Sequence, residues 1–457
     1  MLRGLSIAAS GLSAAQRGLD VTAHNIANAN TVGYTRQQVV QVANQPSLDG
    51  IPLQGPGTFG NGTSVQQVRQ LRDNLVDDIR HSALADKGAA HQLATATSDL
   101  ESIVGPLDGG LGSDIDNFFN SFNELNLHPD QIAQRGAVLD AAQKLTADLR
   151  DARTQVDAVS ARSNQQLTAD VGEVNAVAQQ VARLNQTILE VSASGGQAND
   201  LLDQRGVALD RLAELTGATF RSSGPTVDVI VGGALLVSGS TASTMKINGP
   251  PPTATIDGAA AKLGGAMGAD QQVATTGLDD LRTRLDLIAN GLRDSLNTAN
   301  QSGFDLDGNA GGPMFTGTGA SNFAVDAAMT PRGLAASTTG AATDGNNALV
   351  ISGLRDHAII GSVNAPGTPT LRATEALADL TAVVGVSSAA ADRTVQTVDA
   401  AVAAADARRD ETSGVSVDEE MTELLRYQRA YEASARVVTT MDGVLDTLVN
   451  RLGLVGR

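Results

Sequence analysis

The chain of 457 residues contains no cysteine and no tryptophan, and aromatic residues make up only 2% of it. Without cysteine it can form neither disulfide bonds nor thiolate metal sites. Because aromatic residues are scarce, its hydrophobic cores must be built mainly from Leu, Val, Ile and Ala. Thin cores and elongated helical segments fit this composition better than one large globule. The chain is long enough for about two to four domains.

Lysine and long apolar runs are also scarce. Only four of the 32 basic residues are lysines, and 50 acidic residues give a formal net charge of -18. Such a charge disfavours nucleic acid and anionic membrane surfaces, so we expect no nucleic-acid partner. The longest apolar stretch, VIVGGALLV at 229–237, is much shorter than the roughly 18 residues that a membrane-spanning helix needs, so we expect no membrane insertion.

The start of the chain, MLRGLSIAASGLSAAQRGLD, has an early arginine and small residues, as secretory signals do. Polar residues interrupt its apolar run at Ser6, Ser10, Ser13 and Gln16, so no hydrophobic stretch of the usual length forms. We therefore expect export, if it occurs, to proceed without a cleavable signal peptide.

Heptad repeats of apolar residues mark both ends of the chain. They predict an N-terminal helix over residues 3–29 with a narrow seam that needs a partner helix. They also predict a C-terminal helix after residue 415, whose first turn holds three acidic residues at 418–420 that favour a helix N-terminus. The N-terminal seam consists of Leu5, Leu12, Leu19 and Ile26, and the C-terminal seam of Leu424, Tyr427, Tyr431, Val438, Met441, Leu445, Leu448 and Leu452.

The stretch HNIANANTVGYTR at 24–36 raises a question, because it places one of only three tyrosines beside three asparagines. We interpret it as the end of the N-terminal helix and the turn that leaves it. Asn30 or Gly33 is expected to adopt the left-handed backbone conformation that stops the helix.

Helical patterns dominate the middle of the chain. Long helices are predicted between 66 and 215, and further ones over 277–300 and about 369–412. Residues 226–239, TVDVIVGGALLVSG, are rich in β-branched residues around Gly232-Gly233 and predict a hairpin. The breaks in the helical pattern fall at Gly105 to Gly112, at His128-Pro129 and at Ser194 to Gly196.

The predicted fold is therefore mainly α with a β-rich insert, in an elongated multidomain chain. Residues 1–36 and 415–457 form a terminal coiled-coil domain. Its alanine-rich seams bury too little apolar area to offset the entropy of ordering, so we expect it to be disordered in the free chain. Residues 37–216 and 273–414 form a split, mostly helical domain, and 217–272 form a small outer β domain.

No motif in the sequence predicts catalysis. GPGTFG at 55–60 has the glycine spacing of a phosphate-binding loop but not the preceding strand and following helix that such a loop needs. DLDGNAGG at 305–312 lacks the glycine and glutamate of an EF-hand calcium loop, so we expect a turn. The five histidines are scattered and form no known catalytic pattern. We expect no enzyme activity, no metal ion and no cofactor.

Both ends of the chain resemble known segments. NIANANTVGYTR at 25–36 resembles the N-terminal signature of bacterial flagellar axial proteins, which are the rod, hook and hook-associated proteins, and residues 413–453 resemble the matching C-terminal signature. ANDLLDQRGVALDRLAELTG at 198–217 and ANQSGFDLDGNAGGPMF at 299–315 resemble segments of the hook-associated protein 1 (FlgK) family. The β insert is shorter than in many members of that family.

The resemblance implies a structural adaptor ring that joins the flagellar hook to the filament. Subunits would be exported unfolded through the type III channel and would assemble at the distal end of the hook. The implied partners are the hook protein, the second hook-associated protein, other copies of the chain in a ring, and an export chaperone at the C-terminal segment. The terminal helices would pair as a coiled coil that lines the inner tube, and the β domain would face outward.

The resemblance also implies an assembly interface at both ends. At the N-terminal end it comprises the helix seam and the turn after it, where we expect side-chain amides to bond between neighbouring subunits and Tyr34 to pack where the tube meets the helical domain. At the C-terminal end the helix seam is also the candidate chaperone site. The turn residues in this prediction are Asn25, Asn28, Asn30, Gly33 and Tyr34.

Three other functions fit parts of the sequence. A sibling axial protein, such as a hook or distal rod protein, fits the ends but not the segment at 198–217. A cell-wall hydrolase linked to axial termini would need a catalytic constellation in the middle of the chain. A coiled-coil adhesin would need a surface anchor or repeats, for which the sequence offers no support.

Overall fold

The structure, a computed structural model, describes residues 2–45, 60–104 and 110–448, together with two short paired segments at 47–48 and 51–52. The fold is mainly helical with several small sheets, as the sequence predicts. The helices are α1 (Leu2–Asn28), α2 (Asn74–Val104), α3 (Leu111–Leu127), α4 (Ile132–Ala193), α5 (Asn199–Thr216), α6 (Gly265–Thr275), α7 (Asp279–Gln301), α8 (Asn346–Gly353), α9 (Ala373–Ser413) and α10 (Val417–Asp446), with short 3-10 turns at Ala320–Asn322 and Leu354–Asp356.

The strands form small separate sheets. A four-stranded sheet has the order β5-β6-β7-β8, a three-stranded sheet has the order β11-β10-β9, and the other strands pair as β1-β4, β2-β3, β12-β13 and β14-β15. The strands are β1 (Gln37–Ala43), β2 (Ser47–Leu48), β3 (Ile51–Pro52), β4 (Thr63–Gln70), β5 (Thr219–Ser223), β6 (Thr226–Val231), β7 (Ala234–Ser238), β8 (Thr241–Ala242), β9 (Met245–Asn248), β10 (Thr253–Ile256), β11 (Ala259–Ala261), β12 (Phe315–Thr316), β13 (Ala324–Val325), β14 (Ile360–Ser362) and β15 (Ala365–Leu371).

The chain folds into two compact units. The first comprises the described residues within 1–85, 173–245 and 400–457, and the second those within 86–172 and 246–399. The divisions fall inside α2, α4, β9 and α9, so each of these elements has residues in both units. The finer domain boundaries that the sequence indicates stay a prediction.

Local signals in the sequence correspond closely to the observed elements. The hairpin around Gly232-Gly233 is confirmed, because both glycines have positive φ angles, 55° and 91°, and Val231 pairs with Ala234. The calcium-like stretch at 305–312 forms a turn in which Asp305 Oδ1 accepts hydrogen bonds from the backbone N–H groups of Asp307 (2.9 Å) and Asn309 (2.8 Å). Most of the predicted break at 105–112 and most of GPGTFG lie outside the described residues.

In the first unit, a buried amide holds the four-stranded sheet against the helices. Asn185 of α4 is fully buried, and its Nδ2 donates to the carbonyl oxygens of Val227 (2.9 Å) and Gly239 (2.7 Å). Its Oδ1 accepts from the Val227 backbone N–H at 3.2 Å. Since Val229 and Leu236 are also fully buried, the sheet joins this unit through one apolar face and one satisfied polar contact.

In the second unit, phenylalanines form the centre of the core. Phe118 packs edge-to-face against Phe119, Phe122 and Phe315, with ring centroids 5.3–5.9 Å apart, and Phe315 stacks on Phe323. The predicted helix at 277–300 is α7, whose leucines at 281, 285, 292 and 296 are buried in the same core. Five of the eight phenylalanines of the chain therefore pack together in this one core.

A buried carboxyl group lies in the second unit at Asp270 of α6. Its Oδ1 accepts a hydrogen bond from Gln92 Nε2 of α2 at 2.8 Å, and its Oδ2 has no hydrogen-bond partner among the described residues. Burial raises the pKa of Asp270 to about 6, and the charge of nearby Asp170 adds to the rise.

We expect this carboxyl group to make the stability of the second unit depend on pH. Because the folded-state pKa lies above the value near 3.9 of an unfolded chain, the native state binds the proton more tightly. The free energy of unfolding of the wild type, relative to Asp270→Asn, should fall by up to about 3 kcal/mol as the pH rises from about 4 to 6, and then level off. Urea unfolding of both chains over this range measures the difference. Asp151→Asn, at an exposed position of α4, is the control and should show a flat difference. A flat difference for Asp270→Asn would contradict the prediction.

Candidate functional site: the junction of the terminal helices

The first and last helices pack against each other along lines of residues spaced by seven. Those on α1 are Gly4, Gly11, Gly18 and Asn25, and those facing them on α10 are Met441, Ser434, Tyr427 and Glu420. A Cβ atom would lie 3.0 Å from Met441 Cε if added at Gly4, and 2.4 Å from the Tyr427 ring if added at Gly18. The helices are therefore antiparallel, and glycine is what allows them to approach so closely.

The predicted N-terminal seam is offset from this contact. Leu5, Leu12, Leu19 and Ile26 are half-buried, whereas Ala8, Ala15, Gly18 and Thr22 are buried. On α10 the predicted residues Leu424, Tyr427, Val438, Met441, Leu445 and Leu448 are half-buried, Tyr431 is 38% exposed, and Leu452 lies outside the described residues. The leucine and glycine lines of α1 have the same period, so the spacing alone could not show which one faces α10.

Asn25 lies at the end of the glycine line and is 1% exposed. Its Nδ2 donates to the Gln37 carbonyl oxygen (2.9 Å) and to Glu420 Oε2 (3.0 Å). Its Oδ1 accepts from the Tyr34 hydroxyl (2.8 Å) and the Gln37 backbone N–H (3.0 Å). The amide thus makes all four of its possible hydrogen bonds inside one chain.

Glu420, in the first turn of α10, is buried with its charge paired. Arg36 Nε donates to Glu420 Oε1 at 2.7 Å, and Arg36 Nη1 donates to Glu419 Oε2 at 2.8 Å. The backbone N–H of Arg36 also donates to the carbonyl oxygen of Ser413, the last residue of α9, at 2.8 Å. The side chain of Ser416 caps α10 by accepting from the Glu419 backbone N–H. Arg36 therefore joins the segment after α1 to the end of one helix and the start of the next.

Tyr34 and Gly33 complete the turn after α1. The Tyr34 hydroxyl lies 3.0 Å from His24 Nδ1 as well as donating to Asn25, and burial together with the charges of Asp203, Asp200 and Glu420 raises the pKa of Tyr34. Gly33 has a φ of 82°, and a Cβ atom there would lie 2.4 Å from Val207 Cγ2 of α5. Any other residue at 33 would meet both backbone strain and a clash.

A second layer of polar groups joins this turn to α5. Asp203 Oδ2 accepts from the Thr35 backbone N–H at 3.3 Å, and Asp203 Oδ1 accepts from Gln70 Nε2 at 2.8 Å. Asn199 Nδ2 donates to Gln37 Oε1 at 3.0 Å. Burial raises the pKa of Asp203, although the hydrogen bonds from Thr35 and Gln70 oppose the rise.

The structure shows where the side chains of the asparagine cluster bond within the chain. The Asn25 amide makes four hydrogen bonds there, and bonding between neighbouring subunits stays a prediction. Asn28 Nδ2 donates to the His24 carbonyl oxygen and Asn28 Oδ1 accepts from Thr31, so this residue also bonds locally. Asn30 is exposed, and it is Gly33 rather than Asn30 that has a left-handed conformation.

Sequence reasoning missed four charged or polar residues of the site, and two of them, Asp203 and Glu420, lie far from the turn along the chain. Arg36, Gln37, Asp203 and Glu420 were not assigned to the site. A signal for Glu420 is present in the sequence, because it lies seven residues before Tyr427 on the line that continues to Met441 and Leu448. Asn25 likewise continues the glycine line of α1. A polar residue on such a line sets helix register.

We expect Asn25→Ala to loosen this junction selectively. The substitution leaves the Gln37 backbone groups and the Glu420 carboxylate without their buried partner, at a cost of about 2–4 kcal/mol. In hydrogen exchange on the assembled form of the full chain, where the terminal helices are ordered, amide protection at 34–38 and 417–423 should then fall by roughly two orders of magnitude. Asn30→Ala, which changes an exposed asparagine five residues away, is the matched control and should leave it unchanged. Equal protection in both variants would refute the role of Asn25.

Across the helices that the structure describes, none combines the length and the apolar character that crossing a bilayer requires.

Three family models match the chain. The model described as flagellar hook-associated protein FlgK helical domain matches residues 97–315. The model of the flagella basal body rod protein matches 5–35, and that of the flagellar basal body rod FlgEFG protein C-terminal matches 408–452. The two rod models therefore cover the two helices that meet at Asn25 and Glu420.

Curated and solved relatives agree with these models. The chain is 27% identical to flagellar hook-associated protein 1 of Bacillus subtilis, over 99% of each chain. It is also 27% identical to the protein of the same name from Salmonella typhimurium, over 68% of this chain and 58% of that one. A solved structure titled as the flagellar hook junction protein FlgK from Burkholderia pseudomallei has the same fold, with a TM-score of 0.62 and 16% identity over 75% of this chain and all of that one.

Proposed function

We propose a function from one premise: the chain belongs to the flagellar hook-associated protein 1 (FlgK) family, whose members are structural components of the flagellum and not enzymes. Within that role, we propose that it forms an adaptor ring between hook and filament. Its partners would be the hook protein on one side, the second hook-associated protein on the other, and copies of itself around the ring.

The observation that carries the proposal is the junction of the two ends. Both matches to rod proteins lie at the termini, and the Asn25–Glu420 hydrogen bond and the Arg36–Glu420 ion pair hold these termini together as one element. An element built from both ends of the chain suits an axial core shared with rod and hook proteins, and the middle of the chain is then free to differ between members.

Apolar surface on the two terminal helices supports assembly through them. Several large apolar side chains of the pair are exposed. Exposed apolar residues grouped in this way are characteristic of surfaces that contact a partner. They are Ile7 on α1 and Val417, Met421, Leu425, Tyr431, Val437 and Val444 on α10. We propose that neighbouring axial subunits cover them, together with the half-buried leucines of α1.

The alternative within the same class is a hook or distal rod protein. The match of 97–315 to the FlgK helical domain favours the junction over both, because the rod models match only the ends.

Deletion of the gene tests the proposed position. Cells should make hooks without filaments and release flagellin into the medium, and a plasmid copy should restore filaments. A copy with Asn25→Ala should restore them less well than one with Asn30→Ala, although both chains are exported. Cells that lack hooks altogether would place the protein in the rod or hook instead.

We also propose that the chain is exported unfolded without a cleavable signal and that a chaperone holds α10 beforehand by helix-in-groove binding. In the free subunit, amides at 3–29 and 417–446 should then exchange rapidly, and added chaperone should protect 417–446 alone. Leu425→Asp should weaken that protection, because it charges an exposed apolar position, whereas Gln428→Asp at a neighbouring exposed polar position should not. Strong protection of both helices in the free subunit, or chaperone binding that survives deletion of 415–457, would contradict this proposal.

A further inference from the structure

A cavity of about 770 Å³ in the first unit is unusual for this acidic chain because arginines line it. It lies between the end of β4, the start of α2, the end of α4, α5 and the β5–β6 hairpin. The arginines are Arg69, Arg72, Arg205 and Arg221, and the acidic residues that line it with them are Asp77 and Asp78.

Arg205 of α5 is buried in the wall of this cavity, with 8% of its surface exposed. Its Nη1 donates to Asn185 Oδ1 (2.9 Å) and to the Pro225 carbonyl oxygen (2.8 Å). Among the described residues, no acceptor bonds to its Nε or Nη2, and no carboxylate lies within 4 Å of its guanidinium. Three N–H groups of a buried cation are therefore unused, two of them on the Nε/Nη2 edge, which is costly for a buried charge.

The charged neighbours do not compensate Arg205. Arg72 pairs through Nε with Asp77, and Arg409 also approaches Asp77 at 3.8 Å. The outer nitrogens of Arg72 lie over Gly206, the residue after Arg205. Arg221 is paired with Asp228 at 2.9 Å, and Asp78 is exposed. Burial and the positive charge of Arg72 lower the pKa of Arg205 to about 10, which agrees with the absence of a counter-ion.

We propose that this cavity binds a small oxyanion, a phosphate or carboxylate group, between the Nε/Nη2 edge of Arg205 and the outer nitrogens of Arg72. That edge presents two parallel N–H groups, the geometry with which guanidinium holds such groups through two hydrogen bonds. Arg135 in the second unit shows the contrast. It is also fully buried, but its Nε and Nη1 donate to the carbonyl oxygens of Pro129 and Leu334, both at 2.6 Å, so its nitrogens hold a loop.

Titration of the full-length chain with sodium phosphate, and separately with sodium acetate, tests the site. Ionic strength is held constant with chloride, and binding is followed by arginine side-chain NMR and by the thermal midpoint. We expect saturable binding with a dissociation constant on the order of millimolar, because the site is a single pocket at the protein surface. Arg205→Gln should weaken binding by about tenfold or more. Arg211→Gln should not, because Arg211 lies on the same helix but pairs with Glu173 and Glu214 away from the cavity.

The two anions separate the possible sources of the ligand. Binding of phosphate alone indicates a free phosphate compound, whereas binding of acetate as well indicates a carboxylate such as an acidic side chain of another protein. If Arg205→Gln does not fold, Arg72→Gln takes its place with the same expected weakening. Absence of saturable binding of either anion to the wild type overturns the proposal. So does an Arg205→Gln chain that is less stable but binds unchanged, since Arg205 would then only anchor the hairpin at Pro225.

Discussion

The hydrogen bond between the Asn25 amide and the Glu420 carboxylate joins two residues 395 positions apart, and the arrangement of both termini depends on it. It sets the register of α1 against α10, because the glycines behind Asn25 meet their partners at the same spacing of seven. It also supports the turn after α1, since the same amide bonds to Tyr34 and Gln37. A contact with so little apolar area needs a directional bond to make one register preferable.

Buried polar groups serve two different purposes in the first unit. The Asn25 amide has a partner within the chain for each of its donors and acceptors, so it holds the terminal helices and the turn after α1 together. At Arg205 the hydrogen-bond partners use only the Nη1 nitrogen of the guanidinium, and Arg205 lines a cavity. Since a protein with a net charge of -18 has many carboxylates available, an arginine that no carboxylate of the described residues contacts is informative.

Local patterns predicted the secondary structure well, because they act over a few residues. Helix periodicity, the Gly232-Gly233 hairpin and the acidic first turn of α10 all correspond to observed elements. The helix contact was predicted less well. The leucine line and the glycine line of α1 have the same period, and apolarity favoured the leucines, whereas close packing against α10 uses the glycines. The missing information was which residues of α1 the predicted seam residues Tyr427 and Met441 face.

The sequence by itself determined that the chain is a helical, acidic protein without cysteine, and that its two ends carry a signature of flagellar axial proteins. These conclusions need only composition, periodicity and short motifs. Tertiary structure alone decided that the Asn25 amide bonds within its own chain, that Gly33 must accommodate Val207, and that Arg205 lines a cavity with no counter-ion in the part of the chain that the structure describes. Each of these depends on residues far apart in the chain, and a hydrogen bond or a clash exists only once folding has brought both partners within a few ångströms.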